Sequence, residues 1–158
     1  MNKKTIIKIA ILVIVLGGLI VGGVILYLFN MPHRDIQSAK TDLSISANGL
    51  VNEFLTDAAK ANDKYLDEEG ESKILEVTGV VASIGEDFNG NKEILLKSPD
   101  GKAGVSCAFT PETNAKSDGL TIGQTVTIKG VIQSGAAFDA DLEMYENVIM
   151  DKCDITKK

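Results

Sequence analysis

The chain has no tryptophan, two cysteines, one histidine and three prolines among 158 residues. With His33 as its only imidazole, it can build neither a histidine metal cluster nor a family of histidine-activated nucleophiles. Cys107 and Cys153 are too few for a four-thiolate zinc site, and neither follows an apolar N-terminal segment as a lipid-bearing cysteine would. No pair of carboxylates is signalled by spacing. The expectation is a chain that is not an enzyme, with no catalytic residue, no metal and no cofactor. Acidic side chains are also missing from the whole N-terminus, the first being Asp35.

What stands there instead is an uncharged run of 21 residues from Ile9 to Phe29, preceded by Lys3, Lys4 and Lys8. At about 1.5 Å rise per residue, a helix of this length matches the roughly 30 Å hydrocarbon core of a bilayer. The lysines predict a cytoplasmic N-terminus, and Tyr27 and Phe29 suit the opposite headgroup region. A cleaved signal peptide would have a core of about 7–15 residues and a small-residue cleavage site. Leu28-Phe29-Asn30-Met31-Pro32 offers none, so residues 1–30 are expected to remain as a transmembrane signal anchor. The rest then lies in the periplasm or outside the cell, beyond the inner (cytoplasmic) membrane. Gly18 and Gly22 have the G-x-x-x-G spacing that lets two such helices pair as a homodimer.

Beyond residue 30 the chain carries 13 basic against 22 acidic residues, a net of −9. Phosphate binding needs a basic stripe, so this balance argues against nucleic acid and against anionic lipid. Residues 31–46 are polar and poor in large apolar side chains, and predict a stalk. The domain is then 47–158, large enough for one small core.

Within it, Leu50, Val51, Phe54, Leu55, Ala58, Ala61 and Tyr65 follow helical spacing, as one amphipathic helix or a bent pair. Ser46 is placed to cap the first turn and Asp57 to cap a second set. After the acidic turn Asp67–Glu71 the pattern is β. A long first strand begins at Lys73, Asp87–Asn91 turns it, and Glu93–Lys97 returns. Ser98-Pro99-Asp100-Gly101 makes a tight turn, and Val105, Cys107 and Phe109 share one face of a third strand. A longer excursion over 111–123 separates it from a fourth strand over 125–133 and a fifth over 142–155. Five strands with a long bent first one and a break after the third have the order of an OB-fold barrel. Val77-Thr78-Gly79-Val80-Val81 and Ile128-Lys129-Gly130-Val131-Ile132 are near copies, and a glycine inside each strand suits a barrel corner. The predicted class is mainly β: a five-stranded OB-fold barrel with an N-terminal helical cap, preceded by one transmembrane helix.

Leu50, Phe54, Ala61-Asn62 and Lys64-Tyr65, followed by Val77–Val81, Val105–Phe109, Gly123–Gly130 and Cys153, give an order that resembles the tRNA-anticodon-like OB-fold family of small bacterial envelope proteins. The resemblance covers roughly residues 47–156. It implies an OB-fold domain in the cell envelope, and its name offers tRNA-type nucleic-acid binding as the alternative function. Two departures stand out. The chain lacks the lipobox cysteine of lipoprotein members, and it carries Asp67–Glu71 where the family passes directly from helix to strand.

OB-folds bind ligands at the face of strands 2 and 3 and at the loops joining strands 1–2 and 4–5. Here those loops are 85–91 and 134–141, carrying Phe88 and Phe138. The candidate ligand-binding residues are therefore Phe88, Asn89, Lys92 and Phe138, with an envelope protein or small ligand as partner. The two rings either stand free for stacking or fold inward to plug the barrel. Cys107 and Cys153 fall on neighbouring strands of such a barrel, where they form a disulfide or remain as buried thiols. Asp87-x-Asn89-x-Asn91 is not a calcium loop, because its glycine is Gly90 and the twelfth position is Ser98. Asp139, Asp141 and Glu143 make a solvated acidic loop.

Overall fold

The structure, a computed structural model, describes residues 3–29, 35–68 and 70–158. It forms two compact units, Met1–Arg34 and Asp35–Lys158. The first contains helix α1, Lys3–Phe29. Side chains are described from Val13 to Tyr27, and Val13, Ile14, Val15 and Leu16 are all more than half exposed on consecutive positions. Apolar groups thus face every side. The expected transmembrane helix is not found: among the described residues, which include α1 side chains only from Val13 to Tyr27, no helix is long and apolar enough to cross a membrane.

The second unit is built on β2, Ile74–Glu86. Its first half pairs antiparallel with β5, Thr125–Ser134, from Ile74↔Val131 to Val80↔Thr125. Its second half pairs with β3, Lys92–Leu96, after a register shift between Val81 and Ser83. One strand serving two neighbours in succession lets a sheet curl shut. β3 pairs with β4, Val105–Phe109, and β4 lies parallel to β8, Val148–Lys157. β8 returns to β5. The circuit β2-β3-β4-β8-β5-β2 is a closed five-stranded barrel, with one parallel pair and no free edge in the ring. Between β4 and β5 lies a single 3-10 turn, Asn114–Ser117.

Alternation fills the interior. Val105, Cys107 and Phe109 of β4, Ile94 and Leu96 of β3, and Val126 and Ile128 of β5 are all buried. β8 departs from period two: its buried Met150 and Cys153 are three residues apart. Lys152, at φ 51°, supplies the extra residue of a bulge, so that both side chains face the core. The paired glycines have a packing reason. A Cβ on Gly79 would stand 2.9 Å from Ala47 Cβ, and one on Gly130 would stand 2.7 Å from Cys153 Sγ.

The cap is a helical pair, α2 Ala47–Thr56 and α3 Ala58–Tyr65, with both expected caps in place. Ser46 Oγ accepts from Gly49 N at 3.1 Å and Asp57 Oδ1 from Lys60 N at 3.1 Å. Leu50, Val51, Phe54, Ala61 and Tyr65 enter the barrel core.

Residues 35–46 are not a stalk but part of the folded unit. Ile36 is buried with Ile74 and Val131, and β1, Leu43–Ser46, adds a parallel strand to β2. Asp42 Oδ2 accepts from Ile74 N at 2.8 Å. The buried Lys129 donates to the carbonyls of Gln37, at 3.0 Å, and Ala39. The segment looks polar because its few apolar residues, Ile36, Ala39, Leu43 and Ile45, are scattered among polar ones. It is held by the buried Ile36, by the β1–β2 pairing and by the ammonium that a distant strand supplies to its carbonyls. Residues 31–34 of the expected stalk lie outside the described residues.

The fifth strand begins later than the sequence pattern implies. Residues ahead of it form a separate hairpin, β6 Ala137–Asp139 with β7 Met144–Glu146.

Candidate binding face

The outward side chains of β3, β4 and β8 form one surface, and register places them in rows. Leu95 faces Ser106, Ser106 faces Ile149, and Ile149 faces Ser134. Beside this row lie Glu93 and Ala108, also paired. Ser106 Oγ donates to Glu93 Oε1 at 2.5 Å. The base of the hairpin adds Glu146, and the resulting groove encloses about 370 Å³.

The hairpin has two unlike faces because side chains alternate along a strand. Phe138 and Tyr145 oppose each other with ring centroids 4.9 Å apart. Lys102 Nζ lies 5.4 Å from the Tyr145 ring, close enough for a cation–π contact. Met144 and Glu146 occupy the other face. The turn is held by Asp139 Oδ1, which accepts from Asp141 N at 2.8 Å and Leu142 N at 3.0 Å. Phe138, Leu142, Met144 and Ile149 are all exposed.

Phe88 is fully exposed at the tip of the β2–β3 turn. That turn is organised by Asp87, whose carboxylate accepts from the backbone N of Asn89 at 2.7 Å and of Asn91 at 2.8 Å. The Asn91 hydrogen bonds, with those of Asn89, hold the Asp87 carboxyl below its usual range. Asn89 therefore belongs to the turn. Lys92 pairs with Glu86, which raises its pKa, and its backbone N donates to Asn114 Oδ1 at 2.8 Å. Phe138 packs against Tyr145 with the rings tilted at 52°, and no ring contact joins it to Phe88 among the described residues. Neither ring plugs the barrel. Cys107 and Cys153 are free thiols and both are buried. Burial, then the hydrogen bond with Cys107, pushes the Cys153 thiol well above its ordinary pKa.

Sequence reasoning missed Ser106, Tyr145, Glu146 and Ile149. Ala-Phe-Asp and Met-Tyr-Glu, flanking the Ala-Asp-Leu-Glu turn, are the alternating signal that marks the hairpin. Two larger clefts flank α2, of about 490 Å³ against α3 and about 730 Å³ against the turn at 98–103. In the first, Glu53 is already engaged by Lys64 at 2.7 Å and by Tyr65 Oη at 2.9 Å. That pairing lowers the Glu53 pKa and raises that of Lys64.

A closed barrel of this strand order, with a capping helical pair at its N-terminus, is an OB-fold. The chain belongs to the tRNA_anti-like family, whose model matches residues 1–141. It is similar in fold to a crystal structure from Klebsiella pneumoniae provisionally named a nucleic acid-binding lipoprotein. The two are 19% identical with a TM-score of 0.53, covering 80% of this chain and 100% of that one. An OBody, NL8, bound to hen egg-white lysozyme also matches, with 22% identity and a TM-score of 0.37 over 54% of this chain and 97% of that one. No curated protein sequence matches the chain.

Proposed function

We propose that the chain is a non-enzymatic binding module, held at the inner membrane by its N-terminal helix with its OB-fold domain on the extracytoplasmic side. The domain engages an envelope protein or small ligand through the β3–β4–β8 face and the β6–β7 hairpin. The observation that carries this reading is the character of that face: a groove lined by two carboxylates and no basic side chain among the described residues. The anchor is supported by the 21-residue run of Ile9–Phe29 and the three preceding lysines. It is further supported by apolar side chains on all sides of the described part of α1, a pattern that soluble helices avoid. Gly18 and Gly22 have open space around them for a second helix.

The alternative is a nucleic-acid-binding OB domain of tRNA type, favoured by the family name and by the name of the Klebsiella relative. Phosphates would meet Glu93 and Glu146 without compensating cations, which weighs against it. Alkaline carbonate extraction and external protease treatment of spheroplasts test the anchoring. Retention in the pellet, with the domain digested and an N-terminal tag protected, is the expected result; release by carbonate or a protected domain refutes it. Titration with a single-stranded oligonucleotide at low salt tests the alternative. Binding that weakens steeply as salt rises would establish the nucleic-acid reading.

A further inference from the structure

The groove beside the hairpin combines two properties that rarely suit the same ligand. Among the described residues its only ionisable lining residues are Glu93 and Glu146, and its lining also includes Ala108 and Ile149. Met144 shares the hairpin face of Glu146 and is half exposed, as is Ile149. The hairpin, residues 137–146, holds Asp139, Asp141, Glu143 and Glu146 and not one lysine, arginine or histidine. Of the nearby cations, Lys92 pairs with Glu86, and Lys102 lies 5.4 Å from the Tyr145 ring on the hairpin face opposite Met144 and Glu146.

A neutral apolar ligand would strip water from both carboxylates without replacing it, and an anionic one would be repelled. A ligand satisfying carboxylates and apolar floor together needs ammonium or guanidinium groups spaced among apolar ones. The row from Leu95 through Ser106 and Ile149 to Ser134 crosses four strands, about 14 Å at about 4.8 Å per strand. That length accommodates about four residues of extended chain at about 3.4 Å each. Extended peptides also send successive side chains to opposite sides, so charged and apolar groups can separate.

We propose that this groove binds an extended cationic and apolar peptide segment of a protein partner. Its Lys or Arg side chains meet Glu93 and Glu146, and its apolar side chains rest on Ala108, Ile149 and Met144. The assignment rests on the reading of this face as the binding surface, and it names the chemistry that the face selects.

The full chain in zwitterionic nanodiscs, titrated with a fluorescent decapeptide of alternating Lys and Val, tests it by anisotropy. A Glu/Val decapeptide and a thymidine decanucleotide serve as competing probes, and protein-free nanodiscs give the background. The Lys/Val peptide is expected to bind, to weaken as salt rises, and to lose about tenfold in affinity in the E93Q/E146Q variant, as for two partly exposed charge pairs. Equal binding of the Glu/Val peptide, no binding of the Lys/Val peptide, or an unchanged affinity in the variant overturns the assignment. A photocrosslinking residue at the exposed Leu142, used in native membranes, separates this failure from a wider one. Crosslinked protein segments rich in Lys or Arg support the cationic ligand. Crosslinks to neutral or acidic protein segments refute it while leaving the binding module standing. Crosslinks to nucleic acid, or none at all, refute the binding module as well.

Discussion

Replacing Gly135 with alanine tests whether the helical cap sets the position of the β6–β7 hairpin. Gly135 sits between the end of β5 and the start of β6. A Cβ there would stand 2.1 Å from Phe54 Cδ1 and 2.2 Å from its Cε1. Carbon atoms in comfortable contact are about 3.5–4.0 Å apart, so the ring would have to retreat by about 1.5 Å. Little room exists for that. Phe54 is 2% exposed, and the Tyr65 ring is 5.7 Å away, centroid to centroid. Tyr65 is itself fixed by its hydroxyl, which donates to Glu53 Oε2 at 2.9 Å. Overpacking costs about 1–3 kcal/mol, and a site confined on this many sides belongs at the upper end. At about 4 °C per kcal/mol for a domain of this size, Gly135→Ala should lower the Tm by about 12 °C. Phe54→Leu alone should cost about 1–2 kcal/mol through the space it opens. Combined with Gly135→Ala it should recover at least about 1 kcal/mol relative to the sum, since the two side chains then share one volume. Urea unfolding of the full chain in mild detergent, followed by tyrosine fluorescence, measures all four states of the cycle. Strict additivity, or a Gly135→Ala variant as stable as the wild type, would show that Phe54 does not seat the hairpin.

Two further perturbations probe the remaining supports. Lys129→Met removes the ammonium that holds the carbonyls of Gln37 and Ala39, at a cost of roughly 1–3 kcal/mol for hydrogen bonds to a charged group. The amides of Asp42 and Ile74 should lose hydrogen-exchange protection, because the bonds of Asp42 N to Ile74 O and of Ile74 N to Asp42 Oδ2 depend on this segment staying docked; unchanged protection contradicts the clamp. The buried Cys153 gives a pH signature. Its folded pKa lies above the unfolded value near 9.0, so the folded state keeps a proton that the unfolded state releases. Stability from this group is intact below about pH 9 and should fall above it by about 1.4 kcal/mol per pH unit. Cys153→Ala should flatten that decline in urea titrations across pH 8–10.5, and an equally steep slope would assign the loss to other groups.

The barrel was legible because its signals are local. The β4 alternation of Val105, Cys107 and Phe109, the capping side chains Ser46 and Asp57, and the twin glycines Gly79 and Gly130 each announce themselves within a few residues. What stayed hidden depends on partners far away in sequence. The docking of residues 35–46 needs Lys129, some ninety positions later. The placement of Cys153 needs the Lys152 bulge, which no composition rule marks. Phe88 stands at the tip of the expected turn, whereas Phe138 of the expected 134–141 loop lies in strand β6, and the groove beside that hairpin is lined by Ser106, Ile149 and Glu146. Those three side chains become neighbours only through the parallel β4–β8 pairing and the fold of the hairpin back over it. Lys92, a candidate ligand-binding residue in the sequence, pairs with Glu86, six residues before it.

Membership of a family named for anticodon binding does not carry nucleic-acid recognition with it, because the fold supplies a curved surface and the side chains decide what lies on it. An oligonucleotide-binding OB face needs cations tracking the phosphates and aromatic rings stacking on the bases. Here the sheet face offers Glu93, Ser106, Ala108 and Ile149, and the nearest ring pair, Phe138 with Tyr145, lies on the hairpin face turned away from Met144 and Glu146. Among the described residues this groove is lined by neither a cation nor an aromatic ring, and the two deficits weigh independently against the nucleic-acid alternative. Under the proposed reading, restoring either one alone is not enough: an E93K/E146K variant gains cations but still lacks a stacking platform. The arrangement that nucleic acid finds unfavourable on both counts is the one a cationic, extended polypeptide finds favourable on both, since it supplies the charge and needs no ring to stack upon.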